Sequence, residues 1–125
     1  MTMRDSIAAA RISPPSPQEA GAIAFEFRFG AGDPTFAGHF PSRPLLPGVF
    51  QIEMARVAAE WCLGYSLTIR EVCKAKFLRP ILPEEFVRLE LSLSENSDAI
   101  QARAELSVNG ERAGGTVLRL CRNAE

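Results

Sequence analysis

The chain has 125 residues, with 14 basic and 15 acidic side chains and a formal net charge of -1. One hydrophobic core commonly serves about 100 to 150 residues, so residues 1–125 are predicted to form a single domain. The balanced charge creates no overall field that would gather nucleic acid or an anionic membrane, and neither is expected as a partner. Hydrophobic residues make up 46% of the chain and charged residues 23%, a globular composition that excludes intrinsic disorder.

The cysteines and the single histidine restrict the chemistry. One histidine cannot build a multi-histidine metal site within one chain. Cys62, Cys73 and Cys121 form no Cys-x-x-Cys pair, which is typical of buried, unpaired thiols in a reducing compartment. The first apolar run, residues 7–10, is far shorter than the roughly 7 to 15 residues of a signal-peptide core or the roughly 20 of a membrane span. These features predict a cytoplasmic protein.

The segments before residue 30 are predicted as two strands. Residues 6–12 are a short apolar segment that ends at the proline cluster of residues 13–17, and proline in a sheet is confined to edges, so an edge strand is expected there. Residues 22–29 alternate completely between apolar and other residues, as a half-buried strand requires. The apolar face of this second strand holds Ile23, Phe25, Phe27 and Phe29.

A long helix is predicted over residues 49–63. Pro47 and Gly48 stand at its start, where the N–H that proline lacks is not needed, and Gly64 suits a left-handed stop. Apolar residues cover most of the circumference, which is typical of a buried helix. The polar side chains form one narrow stripe of Glu53, Arg56 and Glu60.

Four strands are predicted after the helix. Residues 86–93 and 100–108 carry apolar residues at every second position, residues 67–77 form a mixed strand, and residues 112–121 are expected to pair back as the last strand. Asn109-Gly110 is typical of a hairpin, since both central residues of a type I′ turn need positive φ. No second helix is expected to make parallel crossovers. We therefore predict an α+β fold in which an antiparallel sheet curls around one long helix.

The loop before the helix carries the motif that suggests a function. Residues 36–53 read FAGHFPSRPLLPGVFQIE. This segment resembles the β-hydroxyacyl-acyl-carrier-protein dehydratases (FabZ- and FabA-like), whose pattern is Gly-His-Phe-Pro, x-x-Pro, x-x-Pro-Gly and then an acidic residue. Residues 76–83, KFLRPILP, resemble a second segment of that family. Together with the order of elements, the resemblance covers residues 22–120.

The resemblance implies a hotdog fold and a homodimer with shared active sites; any assembly beyond the dimer is left open. It implies dehydration of (3R)-hydroxyacyl-acyl carrier protein to trans-2-enoyl-acyl carrier protein in fatty acid or related lipid or polyketide biosynthesis. The thioester substrate is carried by acyl carrier protein or by coenzyme A, and no cofactor or metal is expected.

The resemblance also assigns roles to three residues. His39 matches the base that removes the α-proton, and an unperturbed imidazole titrates near pH 6.5, which suits that task. Glu53 matches the acidic residue that handles the hydroxyl and water, and it is expected to meet the His39 of the other chain. Gly48 matches the glycine whose N–H binds the thioester carbonyl, and a helix N-terminus does present unpaired N–H groups and positive dipole.

A substrate pocket with apolar walls is expected around these groups, and sequence cannot separate its residues from plain core. Arg43 and Arg79 are candidate anchors for the phosphate of the carrier's phosphopantetheine. The candidate pocket residues are Phe36, Phe40, Pro47, Val49, Phe50, Ile52 and Val57.

The chain departs from the family pattern in three places, which leaves alternatives open. Residues 1–12 lack the aromatic-rich segment that helps close the acyl tunnel, Val57 stands where the family often has glutamine, and Arg56 stands where it has small residues. A positive charge one helical turn from Glu53 favours its ionised form, the wrong direction for a general acid. The shortened start and the segment Ala37-Gly38-His39 resemble compact dehydratase-like proteins of specialised lipid or aryl-polyene pathways. The alternative functions are a hotdog acyl thioesterase and a non-catalytic acyl-binding module. For Glu53 the alternative to a catalytic role is a purely solvated stripe on the helix.

Overall fold

The computed structural model describes residues 2–31, 45–96 and 98–123. The helices in these ranges are α1 (Met3–Ala10) and α2 (Gly48–Leu63), with a single 3-10 turn at Glu19–Gly21. The strands are β1 (Ser16–Pro17), β2 (Ile23–Arg28), β3 (Leu67–Phe77), β4 (Phe86–Glu95), β5 (Ile100–Val108) and β6 (Glu111–Arg122).

The strands form one antiparallel sheet in the order β1-β2-β4-β5-β6-β3, with α2 against one face. Its register aligns Phe25 with Leu89 and Leu89 with Leu106, so these three buried side chains form a row across β2, β4 and β5. Because paired residues point to the same face, this row marks the inner face that packs on the helix. The arrangement is a hotdog fold, which confirms the predicted α+β class.

Helix α2 is the centre of the hydrophobic core. It ends at Leu63, and Gly64 follows with φ 81° and donates its N–H to the carbonyl oxygen of Glu60 at 2.8 Å, which confirms the left-handed stop. Near this end the Trp61 ring lies 5.7 Å from the ring of Phe25 and 6.2 Å from that of Phe27. The fully buried residues of the helix are Met54, Ala55, Val57, Ala58 and Ala59.

The predicted strands after residue 20 are confirmed, with ends that differ by at most two residues. The alternating side chains of β2, β4 and β5 do point alternately into the core and outward. At the β5–β6 hairpin, Asn109 has φ 52° and Gly110 has φ 79°, which confirms that both turn residues need positive φ.

The predicted edge strand at residues 6–12 is wrong, because helix α1 occupies most of this segment. Thr2 accepts the N–H of Asp5 on its side chain, and the Asp5 carboxylate accepts the N–H of Thr2, a reciprocal capping box. Ile7 and Ala10 stand three residues apart, so one face of α1 buries both against the core near α2. The proline cluster thus follows a helix, and the strand within it is only Ser16–Pro17.

The prediction of three buried thiols is wrong for Cys73, which is exposed on β3, whereas Cys62 and Cys121 are partly buried and all three are unpaired. Burial raises the pKa of the Cys62 thiol above its ordinary value, so this side chain is a weak nucleophile. In the described parts of the chain, no helix is long and apolar enough to cross a membrane.

Candidate active site

The first turn of α2 presents unpaired backbone donors. Pro47 is the residue before the helix, and its carbonyl oxygen accepts the N–H groups of Phe50 at 3.0 Å and Gln51 at 3.2 Å. The N–H groups of Gly48 and Val49 have no acceptor among the described residues. They therefore constitute a site of partial positive charge that suits a carbonyl oxygen or an anion.

Gly48 is required by the close approach of strand β3. A Cβ added at this position would lie 2.8 Å from the nearest atom of the Phe77 ring, which is shorter than an ordinary contact. Phe77 pairs with Gly114 of β6, so its ring is held on the inner face over the helix start. The end of β3 and the start of α2 thus form one side of the candidate site.

A cleft of about 340 Å³ opens beside this contact. Gln51 is buried at its edge, where its side-chain nitrogen donates to the carbonyl oxygen of Leu46 at 3.4 Å. The other amide atom, Oε1, has no hydrogen-bond partner within the described part of the chain, although it is buried. The cleft is lined by Leu45, Leu46, Gly48, Gln51, Phe77, Leu78, Arg79 and Pro80.

Glu53 belongs to an ion-pair network on α2. Arg56 donates to both carboxylate oxygens of Glu53, with the Nε to Oε2 distance at 3.1 Å, and its Nη1 donates to Oε2 of Glu60 at 2.9 Å. Arg4 of α1 pairs with the other oxygen of Glu60. The hydrogen bond to Glu53 raises the pKa of Arg56 above its ordinary value, so the guanidinium stays charged. Ion pairs therefore join all three members of the polar stripe, Glu53, Arg56 and Glu60.

Several predicted site residues lie outside the described residues, namely His39, Phe36, Phe40 and Arg43. Of the candidate pocket residues on α2, Phe50 is buried with its ring edge against the Phe29 ring at a centroid distance of 5.6 Å, and Val57 lies in the core. Val49 is 61% exposed. Pro47 and Ile52 are partly buried. Only Gly48 of the predicted α2 residues lines the cleft beside Phe77.

Comparison with known proteins identifies the family. The sequence model of the ApeI-like family, described as ApeI dehydratase, matches residues 15–113. The chain belongs to the ApeI-like family. In the described residues of this ApeI-like chain, no group of three or more His, Cys, Asp or Glu side chains could hold a metal ion.

Curated relatives of this ApeI-like chain carry the name 3-hydroxyacyl-acyl-carrier-protein dehydratase FabZ. The one from Alkaliphilus metalliredigens is 37% identical over 71 residues, which cover 51% of this chain and 48% of the relative. The one from Natranaerobius thermophilus is 40% identical over 79 residues, or 56% of this chain and 54% of the relative. The chain thus spans about half the length of the curated relatives it matches.

Two solved structures illustrate the fold. The dehydratase heterocomplex ApeI:P from Xenorhabdus doucetiae aligns with a TM-score of 0.76 at 23% identity, over 90% of this chain and 96% of that chain. An acyl-CoA hydrolase from Staphylococcus aureus aligns with a TM-score of 0.62 at 12% identity, over 83% of this chain and 66% of that chain. At these identities the likeness shows the hotdog fold alone.

Sequence reasoning missed two residues that line the cleft of this ApeI-like chain, Gln51 and Phe77. Gln51 is a polar residue on an otherwise apolar side of α2, and that mismatch was the available signal. Phe77 lies within the second matching segment, but its contact with Gly48 depends on the β3–β6 register. Arg79, a candidate phosphate anchor, lines the cleft and also pairs with Glu85 at 2.8 Å.

The contact between Gly48 and Phe77 predicts a specific stability effect. Gly48→Ala should lower the free energy of unfolding by about 1 to 3 kcal/mol, because the added methyl group collides with the ring. In a Phe77→Ala background the same substitution should cost nothing, since the space is then open. Urea unfolding of the four proteins measures this coupling.

Gly30→Ala is the matched control, because a Cβ there meets only an ordinary contact, Oε1 of Glu84 at 3.5 Å. Its effect should stay within about 0.5 kcal/mol. If Gly48→Ala lowered the free energy of unfolding equally with and without the Phe77 ring, the placement of this ring would be contradicted.

Proposed function

We propose that this ApeI-like protein dehydrates (3R)-hydroxyacyl-acyl carrier protein to trans-2-enoyl-acyl carrier protein. Membership of a family described as ApeI dehydratase supports the reaction class. The names of the curated relatives support a thioester of acyl carrier protein as the substrate. The observation that carries the proposal is the start of α2. There Gly48, whose N–H has no acceptor in the described ranges, lies beside a cleft, and Glu53 follows on the same helix.

The reaction requires three chemical tasks. A base removes the α-proton, the electron pair left behind forms the carbon–carbon double bond, and the bond from the β-carbon to the hydroxyl breaks, so that the hydroxyl departs with a proton as water. Negative charge collects meanwhile on the thioester carbonyl oxygen. In the proposal the Gly48 N–H donates to that oxygen, and a donor of this kind typically contributes about 10² to 10³ in rate.

His39 takes the proton transfers, and Glu53 contacts the hydroxyl. His39 is the proposed base, since it is the single histidine of the chain and stands in the Gly-His-Phe-Pro motif. Glu53 lies five residues after Gly48, about 7.5 Å farther along the helix axis, which suits contact with the hydroxyl while Gly48 holds the carbonyl. Apolar side chains at the cleft, including Leu46 and Phe77, suit an acyl chain.

We further propose a homodimer joined through β3. The two edges of the described sheet differ sharply: β1 spans only Ser16–Pro17, whereas β3 spans Leu67–Phe77. Proline and short length protect an edge from further pairing, but a long edge strand with unpaired backbone groups is an association site. β3 also exposes apolar side chains, with Val72 44% and Phe77 50% exposed. Two β3 strands related by a two-fold axis would cover both.

The proposed reaction is tested with a 3-hydroxyacyl-acyl carrier protein substrate, by following enoyl absorbance and free thiol together. Enoyl product without thiol is expected. His39→Ala should lower kcat by about 10² to 10⁴, the usual contribution of a general base, while circular dichroism and thermal unfolding stay unchanged. Release of thiol would instead indicate a thioesterase, and binding without either product an acyl-binding module. Full activity of His39→Ala would contradict the assigned base.

The proposed dimer is tested with Val72→Asp. Two carboxylates near the two-fold axis would repel each other and remain without partners, so the variant is expected to be monomeric at micromolar concentration in light scattering, whereas the wild type is dimeric. Leu82→Asp is the matched control, because Leu82 is 45% exposed and lies outside β3. A dimeric Val72→Asp, or a monomeric wild type, would contradict pairing through β3.

A further inference from the structure

Arg56 is fixed in place by contacts other than those to Glu53. Its Nη1 donates to the carbonyl oxygen of Leu67 at 3.0 Å as well as to Glu60, and Glu60 in turn accepts the Leu67 N–H at 2.7 Å. Glu60 is only 6% exposed and also pairs with Arg4. The guanidinium is therefore anchored to the start of β3 and to a buried carboxylate.

The contact between Arg56 and Glu53 has two points. Nε and Nη2 donate to different oxygens of the Glu53 carboxylate, which is the planar fork geometry of a bidentate pair. Because the arginine is anchored, the carboxylate is held in one orientation. This differs from the surface pair of Arg88 and Glu90, where both side chains are exposed and the single contact measures 3.2 Å.

The Glu53 carboxylate retains accepting capacity in this arrangement. Each carboxylate oxygen can accept two hydrogen bonds, and Arg56 uses one lone pair of each. The charges of Arg4, Glu60, Arg56 and Glu53 sum to zero, so the network is neutral as a unit. Within the described part of the chain only Arg56 donates to this carboxylate, and an oriented carboxylate with further accepting capacity suits a hydroxyl donor.

We propose that Arg56 is a positioning residue, which orients the Glu53 carboxylate to accept a hydrogen bond from the 3-hydroxyl group of the substrate. The inference rests on the proposed function and extends it to a residue outside the set of His39, Gly48 and Glu53. Glu53 then remains a carboxylate throughout. The proton that leaves with the hydroxyl comes from the group that accepted the α-proton, so the proton count balances.

The test separates hydroxyl recognition from catalysis by using two amide analogues, 3-hydroxybutyryl-pantetheine amide and butyryl-pantetheine amide, whose weakly acidic α-protons resist elimination. Calorimetry gives the ratio of their dissociation constants. The wild type should bind the hydroxylated analogue about tenfold more tightly, the scale of one hydrogen bond to a charged group. Arg56→Gln should bring the ratio close to one.

Three further variants show whether the effect passes through Glu53. Arg56→Lys keeps the charge but not the two-point contact, so it should retain part of the ratio. Glu53→Gln and the double variant Glu53→Gln/Arg56→Gln should give the same ratio, because residues that act as a unit are not additive. Arg88→Gln is the matched control and should leave the ratio unchanged.

A merely structural role would weaken the binding of both analogues equally. An unchanged ratio of dissociation constants in folded Arg56→Gln would therefore overturn the inference. Thermal unfolding shows which variants are folded. Should Arg56→Gln fail to fold, Arg56→Lys carries the test, and a ratio equal to that of the wild type would overturn the inference. If the wild type formed no enoyl product but the proteins gave the predicted ratios of dissociation constants, the proposed reaction would be refuted and the role of Arg56 would be retained.

Discussion

The burial of α2 inside the curved sheet is the constraint on which the rest of the structure depends. A helix with Met54, Ala55 and Val57 fully buried needs apolar cover around most of its circumference. Strands β3, β4, β5 and β6 and the phenylalanine rings of β2 provide it. The same enclosure determines where the helix begins. Its first turn emerges at the end of β3, so that Gly48 meets Phe77 and lines a cleft.

Burial also determines how the polar residues of α2 are arranged. A charge enclosed by protein is costly unless it is paired, and the Glu60 carboxylate therefore holds Arg56, Arg4 and the Leu67 N–H together. Glu53 is attached to this anchored group through Arg56. The network thus links the capped N-terminal helix and the start of β3 to the carboxylate proposed for catalysis.

Sequence predicted the elements that local patterns determine and missed those that depend on capping and packing. Strands β2, β4 and β5 alternate, and α2 is apolar around most of its surface, so local pattern was sufficient. Helix α1 was missed because its eight residues are decided by the Thr2 capping box and by the docking of Ile7 against the core. Gly48 and Glu53 were assigned as candidate site residues from a motif contiguous in sequence, and Gly48 lines the cleft. The contacts of Phe77 and Gln51 arise from strand register and packing, which no local pattern encodes.

The central claim is that the start of α2 binds the thioester carbonyl through the Gly48 N–H. Infrared difference spectroscopy of bound butyryl-pantetheine thioester, labelled with ¹³C at the carbonyl, tests it most directly. Proline fits the first position of a helix, where it removes the N–H and adds ring carbons. Gly48→Pro is therefore made in a Phe77→Ala background, which lacks the ring that those carbons would meet, and is compared with Phe77→Ala alone. The account predicts a carbonyl band at lower frequency in Phe77→Ala that returns toward its unbonded position in the double variant. The same band in both proteins would contradict it.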